Sequence, residues 1–213
     1  MKRKFELPLS CLITEGEATP ENFSGKQQDI LDKARAAVEN RLDLVQIREK
    51  KLSAGLLFEL AAAAVKVVRN SPTRILVNGR ADIALAAGAA GVHLPANSLS
   101  PRAIRDKFPE DFIIGASTHS LGEAEEAAAQ GADFIFFGPV FDTPGKGLPK
   151  GLEELEDVCR ELKPFPVIAL GGIDATNYEK VLAAGASGVA GIRFLNDPKN
   201  AAIVKDLFGR AHL

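Results

Sequence analysis

A (β/α)8 TIM barrel of the α/β class is the fold that three features of this sequence predict. Short β-branched or apolar runs alternate with helix-forming stretches along the chain, which implies parallel strands joined by crossover helices. Several runs are apolar at every position, as in Phe134 to Phe137 and Val167 to Leu170, which is what burial on both faces demands of a strand. A partial repeat adds to this: Ala87-Gly88-Ala89, Gln130-Gly131-Ala132 and Ala184-Gly185-Ala186 each end a helix shortly before a strand. Glycine there supplies the left-handed turn that stops the helix, and Asn40 is expected to do the same after the first one. An open doubly wound sheet is the alternative, but the first strand-to-helix turn has no G-x-G-x-x-G and no Walker sequence appears.

The strands, in order, are Cys11 to Thr14, Leu44 to Ile47, Arg74 to Val77, Gly91 to Leu94, Phe112 to Gly115, Phe134 to Phe137, Pro166 to Leu170 and Gly188 to Ile192. Helical spacing of apolar residues appears in Asp29 to Glu39, Leu56 to Arg69, Gly122 to Ala129, Leu152 to Leu162 and Tyr178 to Ala184. A length of 213 residues sits at the low end for such barrels, so loops must be short and one domain over 1–213 is expected.

Composition narrows the function. With 46% hydrophobic and 25% charged residues and a net charge of -2, the chain is neither disordered nor built to bind nucleic acid or an anionic membrane. No apolar run approaches the roughly 20 residues of a membrane span. The opening Met1-Lys2-Arg3-Lys4 leads into a segment broken by Pro8 and Glu15, so a secretory signal is not expected and the cytoplasm is the expected location. Cys11 and Cys159 read as small hydrophobes; with three histidines lacking ligand spacing, no metal site and no disulfide framework is predicted.

In a barrel of this type the chemistry collects where the strands end at their C-termini. Alternation along Gln46-Ile47-Arg48-Glu49-Lys50 sends Gln46, Arg48 and Lys50 to one side, giving either a cationic pocket or a solvated rim. Gly171-Gly172 after the seventh strand suits a phosphate at a glycine turn, although helix caps use the same dipeptide. The loop from Gly138 to Gly151 reads as a lid carrying Lys146 or as a plain connector. His93 lies on an apolar strand and reads as a satisfied core or rim histidine, and His212 belongs to the tail. His119 follows the fifth strand in Gly115-Ala116-Ser117-Thr118-His119-Ser120, where it can serve as an acid-base group or cap a helix start.

In this order, the segments Gln46 to Lys50, Ile75 to Asn78, Gly91 to Leu94, Gly115 to Ser120, Phe137 to Phe141 with Thr143 and Lys146, and Ala169 to Ile173 resemble the thiamin-phosphate synthase and TenI superfamily over nearly the whole chain. The resemblance implies a barrel enzyme of thiamin biosynthesis acting on a phosphorylated thiazole. In its synthase branch, two acidic positions hold Mg²⁺ beside pyrophosphate; here they read Gly79, after Asn78, and Ser98, in Pro95-Ala96-Asn97-Ser98. The stretch Gly115 to Ala124 resembles the tautomerase segment of the TenI branch, which maps its catalytic histidine onto His119.

The resemblance therefore implies first a metal-independent thiazole tautomerase, with no cofactor, that aromatises a thiazole carboxylate phosphate. Thiamin-phosphate synthase with Mg²⁺ is the alternative, and a non-catalytic ligand-binding barrel the third. It further implies that the backbone at Gly171, Gly172 and Ile192 holds the phosphate, beside an Arg193 that stands where both branches usually carry serine. Arg48, Lys50 and Lys146 would recruit the anion, Gln46 would orient the ring, and Asn78, Ser117 and Thr143 would complete the substrate contacts. A homodimer is the expected assembly on symmetry frequencies alone.

Overall fold

The computed structural model describes residue 5, residues 7–200 and residue 203. Eight strands run β1 (Leu9–Ile13), β2 (Leu44–Ile47), β3 (Arg74–Asn78), β4 (Gly91–Leu94), β5 (Ile113–Thr118), β6 (Phe134–Phe137), β7 (Val167–Leu170) and β8 (Gly188–Gly191). The helices are α1 (Phe23–Glu39), α2 (Ala54–Val68), α3 (Ala81–Ala86), α4 (Pro101–Arg105), α5 (Leu121–Ala129), α6 (Gly151–Leu162), α7 (Tyr178–Ala183) and α8 (Arg193–Asn196). Every strand pairs in parallel with the next, and β8 pairs with β1 through Leu9↔Gly188 and Leu12↔Gly191. That closure is the (β/α)8 barrel and excludes the open sheet. Among the described residues, no helix is long and apolar enough to cross a membrane.

Two-faced burial explains the continuous apolar runs. Inward side chains, among them Leu9, Cys11, Leu44, Leu76, Ile113, Phe134, Phe136 and Ile168, fill the barrel. The alternate positions Val45, Ile47, Val77, Ile114, Ile135 and Phe137 face outward onto helix residues such as Leu60, Ala64, Val158 and Val181. The Phe134 and Phe136 rings lie with centroids 5.4 Å apart, and the inward position beside them on β5 is Gly115. A Cβ on Gly115 would stand 2.4 Å from the Phe134 ring. Burial pushes the Cys11 thiol far above its ordinary value, and both Cys11 and Cys159 are free, in keeping with small hydrophobes.

Gly88, Gly131 and Gly185 end their helices at φ 71°, 90° and 91°, as the repeat predicts. Asn40 does not take the left-handed turn. It keeps φ at -91° and uses its side-chain amide to bond the Ala36 carbonyl, while Arg41 turns left-handed at φ 56°. Other differences concern boundaries. β5 runs on to Thr118, because Ser117 and Thr118 still pair with β6; α1 starts at Phe23 instead of Asp29; α3, α4 and α8 have six residues or fewer, too short to show a period. The expectations placed on residues 1–4 and on His212 lie outside the described residues.

Because a methyl group at position 115 has to displace the Phe134 ring, Gly115→Ala is expected to lower stability by roughly 1–3 kcal/mol. Urea unfolding followed by circular dichroism checks this, and an unchanged midpoint contradicts the interior packing described.

Candidate functional site at the barrel mouth

At the C-terminal ends of β2 to β5, the inward positions turn polar. Gln46 is buried to 1% exposure, and its Nε2 donates to Asn78 Oδ1 at 2.9 Å and to His93 Nδ1 at 3.1 Å. His93 therefore carries its proton on Nε2, which reaches Ser117 Oγ at 3.4 Å. Its ring stacks on Phe136 with centroids 4.3 Å apart. These four residues form a polar floor across four adjacent strands. Gln46 Oε1 is buried without a hydrogen-bond partner and is the open valence of that floor.

The reading of His93 as a satisfied core histidine holds, yet it also anchors Gln46. Burial, and after it the Arg48 charge, push the imidazole down to about 3, so the floor is neutral at any ordinary pH. Composition alone does not reveal this link; polar residues at inward parity on β2, β4 and β5 are the signal that does.

Positive charge lies above the floor. The Arg48 guanidinium, then partial burial, then Lys146 hold the Lys50 ammonium below its ordinary value. Among the described residues, none of the three takes part in an ion pair. Of the three residues grouped by alternation, Arg48 acts on the Lys50 ammonium, while Glu49 turns to the loop after β1 and is 4% exposed.

The turn after β7 is shaped by the loop beside it. Gly171 and Gly172 take φ 99° and 65°, and a Cβ on either would stand 2.6 Å from Pro139 or Phe141. The loop from Gly138 to Gly151 is pinned at its base by Val140 N–H to the Leu170 carbonyl at 2.9 Å and Phe141 N–H to the Gly171 carbonyl at 3.0 Å. Lys150 and Gly151 return hydrogen bonds to the Pro139 and Val140 carbonyls, so the segment is an anchored flap with an exposed tip at Lys146. Thr143 Oγ1 bonds the Phe141 carbonyl and faces Gly171. Ile192 precedes α8, and Arg193, the first residue of that helix, is exposed.

His119 lies at the rim beyond β5. Its backbone N–H donates to Glu123 Oε2 at 2.6 Å, and Nδ1 bonds the Gly138 carbonyl. A carbonyl only accepts, so Nδ1 carries the hydrogen and Nε2 is left with a lone pair that can take a proton. A cavity of about 240 Å³ opens beside the mouth between β4, β5, α4 and α5, bounded by Leu94, Ser98, Ala116, Thr118 and Glu126 and sharing Ser117 with the floor.

The ends of β3 and β4 carry no carboxylate. Gly79 turns away at φ 67° with its N–H on the His93 carbonyl, Ser98 Oγ bonds the Leu99 carbonyl, and the nearby Asp82 is paired with Arg80. Among the described residues, no group of three or more His, Cys, Asp or Glu is arranged to hold a metal. The residues present do not fit a carboxylate-held Mg²⁺.

A closed parallel barrel with an electropositive mouth, a neutral polar floor and a glycine turn after β7 defines the class. The particular family follows from comparison: residues 11–195 match the family model described as thiamine monophosphate synthase, TMP-TENI, and the chain belongs to that family. It is 40% identical over 169 residues to a thiamine-phosphate synthase of Methanoculleus marisnigri, covering 78% of this chain and 80% of that one. A thiamine-phosphate synthase of Chlorobium phaeobacteroides is 36% identical over 200 residues, covering 91% and 92%. The solved thiamine phosphate pyrophosphorylase of Pyrococcus furiosus superposes with a TM-score of 0.80 at 29% identity, covering 96% of each chain.

The buried neutral His93 sets a pH dependence. Unfolded, its imidazole takes a proton near pH ~6.5, whereas the folded chain refuses it until about 3. This contribution to stability is complete above pH ~6.5 and is lost as pH falls from there toward 3. Urea midpoints are expected to decline across that window, and His93→Gln is expected to flatten the decline; an unaltered slope in the variant contradicts the assignment.

Proposed function

We propose that the mouth binds a phosphorylated thiazole and joins it to a hydroxymethylpyrimidine pyrophosphate, forming thiamin phosphate. The observation that carries this reading is likeness to relatives named thiamine-phosphate synthase at 36% and 40% identity, over 91% and 78% of the chain. In the transfer, the bond between the pyrimidine methylene carbon and the pyrophosphate oxygen breaks, and its electron pair leaves with pyrophosphate. The thiazole nitrogen lone pair forms the new carbon–nitrogen bond. Charge on the departing group is then met by Arg48, Lys50 and Lys146, because no carboxylates stand at Gly79 and Ser98 to hold a metal there.

In this reading the thiazole phosphate sits against the backbone of Gly171, Gly172 and Ile192, with Thr143 beside it and Arg193 on the outer rim. Gln46 orients the ring, Asn78 and Ser117 complete the floor, and the polar floor fixes ring orientation without adding charge.

The comparisons thus reverse the order in which the sequence ranks the two activities. Tautomerisation of a thiazole carboxylate phosphate stays as the second reading, favoured by the carboxylate-free ends of β3 and β4 and by the free Nε2 of His119 at the rim. There His119 takes the ring proton and returns it elsewhere on the ring system, a role worth about 10²–10⁴ in rate.

One assay separates the two. The purified chain is given pyrimidine pyrophosphate and thiazole phosphate, with Mg²⁺ or with EDTA, and separately the non-aromatic thiazole carboxylate phosphate. Thiamin phosphate and pyrophosphate as products, formed equally well by His119→Asn, are expected. Conversion of the thiazole alone, abolished by His119→Asn, supports the second reading and overturns the first.

A further inference from the structure

We propose that Glu49 is a positioning residue: it clamps the loop between β1 and α1 and so holds the Arg48 guanidinium over the barrel mouth. The inference rests on the reading of the mouth as a site for phosphorylated anions, and adds to it a residue that touches no substrate.

Glu49 is 4% exposed, and both of its carboxylate oxygens are used. Oε1 accepts from the Thr14 hydroxyl at 2.5 Å and from the Gly16 N–H at 3.1 Å, and Oε2 accepts from the Ala18 N–H at 2.8 Å. Three donors from one five-residue segment, Thr14 to Ala18, therefore converge on a single side chain from the end of the neighbouring strand. A buried carboxylate gripping a backbone turn in this way resists rearrangement, since each donor released weakens the solvation of a buried charge.

The clamp reaches Arg48 by two routes. Thr14 Oγ1, oriented by its bond to Glu49, accepts the Arg48 backbone N–H at 2.8 Å and so fixes where that residue leaves β2. Gly16, held by Glu49 at φ 81°, forms the surface against which the guanidinium lies: a Cβ there would stand 3.2 Å from Arg48 Nη1 and 3.2 Å from the Arg48 carbonyl oxygen. The Arg48 charge is felt by both Lys50 and the buried His93. Glutamine at position 49 keeps the shape and one acceptor oxygen but turns an amide N–H toward one of the donors.

Calorimetric titration of the full chain with inorganic pyrophosphate tests this, because it reads the mouth without assuming a reaction. Wild type, Arg48→Ala, Glu49→Gln and the double variant are compared at two salt concentrations, with thermal midpoints recorded. Glu49→Gln is expected to weaken binding about tenfold or more, to flatten the salt dependence as Arg48→Ala does, and to cost nothing further in the double variant. Should Glu49→Gln not fold, Gly16→Ala is expected to show the same loss by crowding the guanidinium. Affinity and salt dependence like wild type in either variant, or losses that add to that of Arg48→Ala, overturn the inference alone. No pyrophosphate binding by wild type overturns the reading of the mouth, and the inference with it.

Discussion

Like charges crowded at one rim are the constraint on which this barrel's mouth depends. Arg48 and Lys146 both act on the Lys50 ammonium, and no ion pair among the described residues relieves them. Like charges so placed repel one another and would favour a polyanion at this rim. The rest of the site is arranged around that charge. The glycine turn after β7 offers backbone in place of side chains, and the anchored flap carries Lys146 on its exposed tip.

Beneath the cations, the floor contributes direction instead of charge. Gln46 can satisfy both Asn78 and His93 only with its amide nitrogen facing them, which leaves Oε1 buried without a partner. A protonated His93 would end that orientation, since Nδ1 could no longer accept, and it would place a fourth positive group below Arg48. Burial beside Phe136 prevents this. Stability at low pH and the orientation of the floor therefore have one physical origin.

Much of the fold was legible in the sequence because closure of a parallel barrel leaves a strong signature. Strands buried on both faces read as unbroken apolar runs, and helices that end at Gly88, Gly131 and Gly185 mark where each unit begins again. What was hidden depended on tertiary context. Arg41 turns left-handed although Asn40 is the better candidate by residue type, because the Asn40 amide is engaged with Ala36. The polar tail of β5 looks like a loop until its pairing with β6 is known. In the site, alternation along one strand grouped Gln46 with Arg48 and Lys50, whereas the link from Gln46 through His93 to Ser117 needs the register of β2 to β5 against one another. Glu49 shows the same limit: its place opposite the pocket was readable, its three partners on another strand's loop were not.

In the proposed reaction, charge at this mouth is met by side chains and not by a divalent ion on carboxylates. Crystals grown with pyrophosphate and Mn²⁺, measured at the manganese edge, test it most directly. Pyrophosphate oxygens within hydrogen-bonding reach of Arg48 and Lys50, with no anomalous peak at the ends of β3 and β4, is the predicted result. A manganese peak bridging the phosphates to residues at those two strand ends would contradict it.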